Sequence, residues 1–509
     1  MRTLYRASVV YTQSHPERGE WVLIDDRHVQ RVGSGEPPRA DRVVDLPGTT
    51  IMPGFVDTHV HLTTTGLALE NDAIESARSA TELLAAASAR ASTSEGGTTG
   101  SSPLYLQGYD ESRWDDPAVP TPEQLAAVTP RPLVIRRADG HVCLANARAI
   151  DASGVVDAQG LELDAHGRPT GILRGDANDR LGRWALESLD DLTVQSLQLE
   201  AAGLAAARGV TTVHEMAMPH WHGPRELQVL LGHRRRLPVD VMTVVATTDL
   251  PSVIERDLGS VGGDLPVDGS VGARTAWLRA PYADAAGAGA PYFGDDELAE
   301  LFHSGHVAGL QVGVHAIGDA AIEQVLSTWE RVYGALDSRE RRHFRSRRHR
   351  IEHFEMPSPG QIERAAVLGL AVSMQPVFDL RWGGPGALYE RALGWERAAT
   401  MNPIRSMLDR GIVVGVGSDA PVTPLDPMLA VHAMELHHAP SERLDRREAI
   451  RLHTIGSARV GRQEEKKGAL APGMHADLAV YEVDPLNLPS VEGLRPVLTV
   501  SLGREVYAR

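Results

Sequence analysis

Hydrophobic and polar positions alternate near both ends of the chain, and in between apolar blocks recur with amphipathic stretches separating them. Over roughly the first fifty residues the alternation predicts short antiparallel strands at Tyr5 to Tyr11, Trp21 to Val32 and Arg42 to Leu46, with polar turns at Ser14 to Glu20 and Ser34 to Pro38. The C-terminal end has the same texture, with Ala476 to Glu482 and Val497 to Tyr507 as strand candidates around a loop carrying Pro485 and Pro489. Neither end can bury a sheet face alone. Residues 1–54 and 466–509 are therefore expected to pack together as one small β-sandwich domain.

The middle of the chain has a longer rhythm. Apolar runs at Thr49 to Val56, Leu133 to Arg136, Val210 to His214, Val239 to Ala246, Gln311 to Val314, His349 to Ile351, Ala371 to Met374 and Val413 to Val416 read as buried strands. Helical periodicity marks Val194 to Ala207, Asp295 to Ala308, Asp319 to Tyr333, Gln361 to Leu368 and Pro427 to Met434. A βα series of about eight repeats suits a closed parallel barrel, placed here at residues 55–465. Ala91 to Pro103 reads as an exposed loop and His141 to Arg180 departs from the repeat, so about 91–180 is expected to be an insertion near the active-site face.

Composition narrows the function. A formal charge of −16 (51 basic against 67 acidic residues) with only 5% aromatics disfavours nucleic acid or an anionic membrane as partner. The arginine-rich stretch from Arg339 to Arg350 carries a single aromatic residue, Phe344, and reads as solvated helix surface. No apolar run approaches the roughly 18 residues of a spanning helix, and Met1 to Arg6 has no signal-peptide core, so a soluble cytoplasmic protein acting on a small molecule is expected. A single cysteine, Cys143, excludes an internal disulfide and any cysteine-rich zinc site. Any metal must rest mainly on His, Asp and Glu.

Such residues stand at the ends of the apolar runs. Ile51 to Leu62 is a short strand that passes Asp57 and carries His59 and His61 at alternate positions, so both imidazoles face one side. Among 21 histidines one His-x-His is expected by chance, and a second copy occurs at His220 and His222. Context separates the two. Gln311 to His315 ends in a histidine, His349 to His353 in another, and Gly411 to Asp419 runs through a Gly-Ser turn to an aspartate. In a parallel barrel all C-terminal strand ends meet on one face, so His59, His61, His315, His353 and Asp419 would surround one point.

With these segments the chain resembles the amidohydrolase superfamily, and most closely the subgroup that includes the N-substituted formamide deformylases. Met52 to His61, Gly108 to Ser112, Arg137 to His141, Asp268 to Thr275, His315 to Asp319, Arg350 to His353, Gly417 to Val422 and Gly468 to Leu478 carry the likeness across nearly the whole chain. The resemblance implies a distorted TIM (β/α)8 barrel with a β-sandwich built from both termini. It implies a metal-dependent hydrolase, with zinc as the expected ion, cutting a non-peptide C–N bond such as that of an N-substituted formamide or N-acyl amine. His59, His61, His315, His353 and Asp419 become the metal shell, and Asp419 the general base that returns a proton to the leaving nitrogen. Relatives are often dimers, so a homodimer is expected.

One departure matters. Many relatives bridge two metals with a carboxylated lysine, but the only lysines are Lys466 and Lys467, and the aligned position is Asp264. Either one ion is held, the favoured expectation, with His353 free to bind water or substrate, or a carboxylate bridges two ions, with Asp264, Asp176 and Glu215 as candidates in that order. His and carboxylate ligands also accept iron or manganese. His141, Arg274 and Gln375 are candidate substrate contacts, while Asp57 and Glu352 are expected to fix histidine tautomers from behind. Deamination of an aminated heterocycle is the alternative chemistry. It is weakened because Gly318 stands where one-metal relatives carry Glu; a binding protein that has kept the barrel is the remaining reading.

Overall fold

The computed structural model describes residues 1–69, 72–93 and 103–509. Its central element is a ring of eight parallel strands: β1 (Phe55–Val60), β2 (Val210–Ala217), β3 (Asp240–Val245), β4 (Ser260–Val261), β5 (Gln311–Ala316), β6 (Arg350–His353), β7 (Ala371–Met374) and β8 (Val413–Val416). The ring closes where the segment after β8 meets β1: Asp419 N–H donates to the His59 carbonyl at 2.8 Å, and His61 N–H to that of Ala420 at 2.9 Å. Every residue of β1, β2, β5, β6 and β7 is buried, including polar side chains such as Asp57, His214, Arg350 and Glu352. Helices such as Asp295–Val307 and Asp319–Ala335 cover the outside. Their aromatic residues pack against the strands, with Trp329 stacked between Phe302 and His349 at 4.2 Å from each.

Two elements differ from the sequence expectation. The apolar run at Leu133–Arg137 is not a barrel strand but belongs to a separate five-stranded sheet formed by residues 104–174. The barrel's fourth position is taken instead by Ser260–Val261, only two residues long. Gly262 and Gly263 end it with φ of 84° and 61°. A Cβ on Gly262 would lie 2.0 Å from the Gly313 carbonyl oxygen, so only glycine permits this turn. The turn swings Asp264 into the barrel mouth, after which Leu265 and Val267 pair with the end of β5. Of the expected Ala91 to Pro103 loop, residues 94–102 lie outside the described residues.

Both ends of the chain contribute to one seven-stranded sheet, in which Arg42–Pro53 lies between Arg2–Tyr11 and Leu478–Tyr481. Buried Lys467 ties this sheet to the bottom of the barrel, reaching Asp240 at 3.1 Å, Asp477 at 3.2 Å and the Thr212 hydroxyl at 2.8 Å. Among the described residues no helix is long and apolar enough to cross a membrane.

Candidate metal centre

The strand ends bring the five sequence-predicted ligands together, with Asp264 at their middle. Asp264 Oδ2 lies 3.4 Å from His61 Nε2 and 3.6 Å from His59 Nε2, while its Oδ1 lies 3.2 Å from His315 Nδ1 and 3.4 Å from His353 Nε2. Asp419 Oδ1 sits 3.3 Å from His61 Nε2 and 3.5 Å from His59 Nε2. All six side chains are buried. The backbone is bent to achieve this. His353 and Asp419 adopt φ of 70° and 54°, left-handed conformations that cost about 1–3 kcal/mol each and concentrate at functional sites.

Each imidazole has its outward nitrogen already engaged. His59 Nδ1–H donates to Glu352 at 3.0 Å, His61 Nδ1–H to the Met216 carbonyl at 3.0 Å, His353 Nδ1–H to Gln375 Oε1 at 2.8 Å, and His315 Nε2–H to the Gly269 carbonyl at 3.4 Å. These bonds place the ring protons outside and turn four lone pairs inward, toward two carboxylates. His59 Nε2 and Asp419 Oδ1 are buried without any hydrogen-bond partner. Six acceptors facing one another are stable only around positive charge, so the donor set fits a divalent cation. The electrostatics agree: burial opposes a charged imidazole, yet Asp264 and Asp419 push His59 up to about 10.

Glu352 and Asp57 divide the supporting work differently from the sequence expectation. Burial alone would raise Glu352, but the Arg350 guanidinium and His59 hold it at about 2. It is thus a fixed carboxylate, 2.8 Å from Arg350 Nη2, that orients His59. Asp57 touches no imidazole: it accepts the main-chain N–H of His59 at 3.1 Å and of Ser418 at 3.0 Å, joining β1 to the Asp419 turn. Burial pushes it up to about 6. Asp268 performs a similar task that sequence reasoning missed, accepting the N–H groups of Ile317, Gly318 and Trp277 at 2.8–3.0 Å. Its only signal was membership of the Asp268-Gly269-Ser270 segment.

The other candidates separate clearly. His141 lines the cavity above the centre, its ring 6.4 Å from that of His315. Gln375 serves His353 and does not line that cavity. Arg274 lies at the rim, paired with Asp284 and with the Val271 and Gly272 carbonyls. Asp176 is exposed on the first turn of the helix Gly175–Glu187, 3.7 Å from Arg180, too far out to bridge ions. Glu215 lies behind the centre, accepting the Leu62 N–H at 2.7 Å; burial pushes it up to about 8. Among the described residues the second His-x-His pair joins no group able to hold a metal, and His222 Nδ1–H donates to Glu226 at 2.9 Å. A separate group of Asp379, His437 and His438 is spent on hydrogen bonds, both ring nitrogens of His437 being engaged by Ala439 N–H and the Asn402 carbonyl.

An eight-stranded barrel with buried His and Asp ligands at its C-terminal mouth defines a metal-dependent hydrolase. The sequence pattern of the amidohydrolase family matches residues 42–507, and the chain belongs to that family of hydrolases acting on C–N bonds. It is 28% identical to the putative amidohydrolase YtcJ of Bacillus subtilis (strain 168), over the whole of both chains. It is 25% identical to the N-substituted formamide deformylase of Arthrobacter pascens, over 92% of this chain and 91% of that protein. The fold is shared with an uncharacterized metal-dependent hydrolase from Pyrococcus horikoshii OT3 (TM-score 0.77, 24% identity, 97% of this chain and 100% of the other).

Proposed function

We propose that this protein hydrolyses a linear, non-peptide amide, an N-substituted formamide or N-acyl amine, with zinc as the bound metal. The observation that carries the reading is the inward-facing set of His59, His61, His315, His353, Asp264 and Asp419, with every imidazole proton engaged elsewhere. A divalent cation there supplies Lewis acidity toward the amide carbonyl and lowers the pKa of water toward about 7. Asp264, presenting one oxygen to each histidine pair, favours two ions over the single ion expected from sequence.

The chain's own groups supply the proton traffic. Asp419 Oδ1 takes the proton of the attacking water as its oxygen bonds to the carbonyl carbon, then delivers it to the nitrogen as the C–N bond breaks, giving acid and amine. His141, on the cavity wall, contacts the substrate. The cavity of about 110 Å³ leaves room for a small molecule only. Deamination gains no support, since a side chain at Gly318 would strike the Trp277 carbonyl oxygen at 2.0 Å. Homodimeric assembly in the cytoplasm belongs to the same proposal.

The test is a panel of formanilides, N-acyl amines and aminated heterocycles offered to metal-loaded protein. Formate or acetate release with free amine is the expected result. Ammonia release from the heterocycles alone would replace the amidase reading with a deaminase.

A further inference from the structure

The metal centre lies where two lobes of one cleft meet, and the lobes differ in chemistry. One is lined by Val271, Ile317, Phe378, Trp382, Leu388 and Tyr389, an apolar and aromatic wall. The other is polar, and at its side stands Arg136, contributed by the insertion sheet rather than by the barrel.

Arg136 is 8% exposed, and its position is unlike that of the neighbouring buried arginines. Arg137 reaches Asp110, Glu111 and Asp139 at 2.7–3.0 Å, and Arg350 is paired with Glu352. Among the described residues no carboxylate oxygen lies within 4.0 Å of Arg136. The nearby carboxylates are engaged: Asp139 by Arg137 and Ser270, Asp179 by the Trp221 indole at 3.0 Å and Asn178 at 2.9 Å. Asp179 adds a favourable field from farther away, and Tyr105, whose hydroxyl burial keeps protonated, cannot balance the charge. Arg136 Nε–H donates to the Gly140 carbonyl at 2.8 Å, which fixes the plane of the guanidinium. Gly140 and Gly182 flank it without side chains; a Cβ on either would come to 3.5–3.6 Å of its nitrogens. A desolvated cation held flat, with only the neutral Tyr105 hydroxyl and no carboxylate as its side-chain partner, is pre-organised for a planar, two-oxygen anion.

We propose that Arg136 binds a carboxylate of the substrate, and that the preferred substrate is an N-acyl compound carrying a carboxylate on one arm of the amide and an apolar group on the other. This rests on the amidase reading above and names its substrate class. The metal centre between the lobes then receives the amide bond, with the apolar arm against Phe378 and Trp382.

The experiment uses matched pairs that differ only in charge: N-phenylacetylglycine against N-phenylacetylglycinamide, and N-benzylsuccinamic acid against its terminal carboxamide, which reverse the direction of the amide. In at least one pair the metal-loaded wild type is expected to favour the acid by about 30-fold in kcat/KM, the worth of one charge-assisted hydrogen-bonded pair. Arg136→Gln is expected to erase that preference, mainly through KM for the acid, and to leave the carboxamide within about threefold, with Arg136→Lys restoring part of it. Equal use of acid and carboxamide by the wild type overturns the subsite whatever the variants do. An equal loss for both in Arg136→Gln does so too, because it marks a merely structural arginine. Turnover of neutral amides with neither acid accepted overturns the subsite and leaves the amidase reading standing. No turnover of any amide overturns the reading beneath it, and the subsite with it.

Discussion

Replacing Asp264 by Asn tests how many ions the centre holds. The side chain keeps its shape but loses its charge and one acceptor oxygen. In the native arrangement Oδ2 faces His59 and His61 at 3.4–3.6 Å, and Oδ1 faces His315 and His353 at 3.2–3.4 Å. An amide can turn its oxygen to one pair only; its NH2 then points at the other pair's lone pairs. Unit charges about 4 Å apart at an effective dielectric near 20 interact by about 4 kcal/mol, so the pair facing the NH2 should lose about a thousandfold in affinity for its ion. The other pair retains an acceptor, and the pair nearer Asp419 also keeps that carboxylate. Elemental analysis after exhaustive dialysis is expected to find about two equivalents of metal per chain in the wild type and about one in Asp264→Asn, with turnover falling at least a hundredfold. One equivalent in the wild type, or two in the variant, would falsify the bridging role.

Three further outcomes follow from the same geometry. Asp419→Asn is expected to retain most of the metal but to lose about 10²–10⁴ in kcat, read from amide hydrolysis; near-normal turnover would remove Asp419 as the base. Glu352→Gln removes the charge that neutralises buried Arg350 and leaves one acceptor oxygen where Arg350 and His59 share two, so metal affinity in a chelator competition should fall about 10–100-fold and stability by about 3–5 kcal/mol. His453 is buried against Phe55, and burial holds it at about 3 rather than 6.5. Only the unfolded chain then takes up its proton, so this contribution is present above pH 6.5 and is lost as pH falls, by about 2 kcal/mol at pH 5. Urea unfolding of His453→Leu should show a correspondingly flatter decline between these pH values; an unchanged slope counts against the buried neutral imidazole.

The candidate ligands at the strand ends were legible because each ends an apolar run, and parallel strands in a barrel deliver their C-terminal ends to one place. His59, His61, His315, His353 and Asp419 needed no knowledge of loops. Ser260–Val261 was invisible: two residues carry no periodicity, and their strand is defined by pairing with β3 and β5. Leu133–Arg137 shows the converse error, since a short apolar run has the same pattern whichever sheet takes it up. Gln375 looked like a pocket residue because it follows a strand, but its Oε1 accepts from His353 Nδ1–H at 2.8 Å. Arg136 gave no signal at all. Its meaning lies in what does not stand beside it, and only three-dimensional neighbours reveal that.

The strand Arg42–Pro53 has one edge on Arg2–Tyr11 and the other on Leu478–Tyr481. Its second partner leaves the ribosome about 425 residues later, which at 5–20 residues per second is a delay of roughly 20 to 85 s. Throughout that interval the nascent chain carries an unpaired strand edge, with apolar Ile51 and Met52 next to it, a template for pairing with the wrong chain. The first barrel strand, Phe55–Val60, waits almost as long for the turn at Asp419 that closes the ring. Biogenesis of this enzyme is therefore a problem of timing. Successful folding depends on shielding the early segment, by a holdase or by provisional contacts within the growing chain, until the last segment arrives.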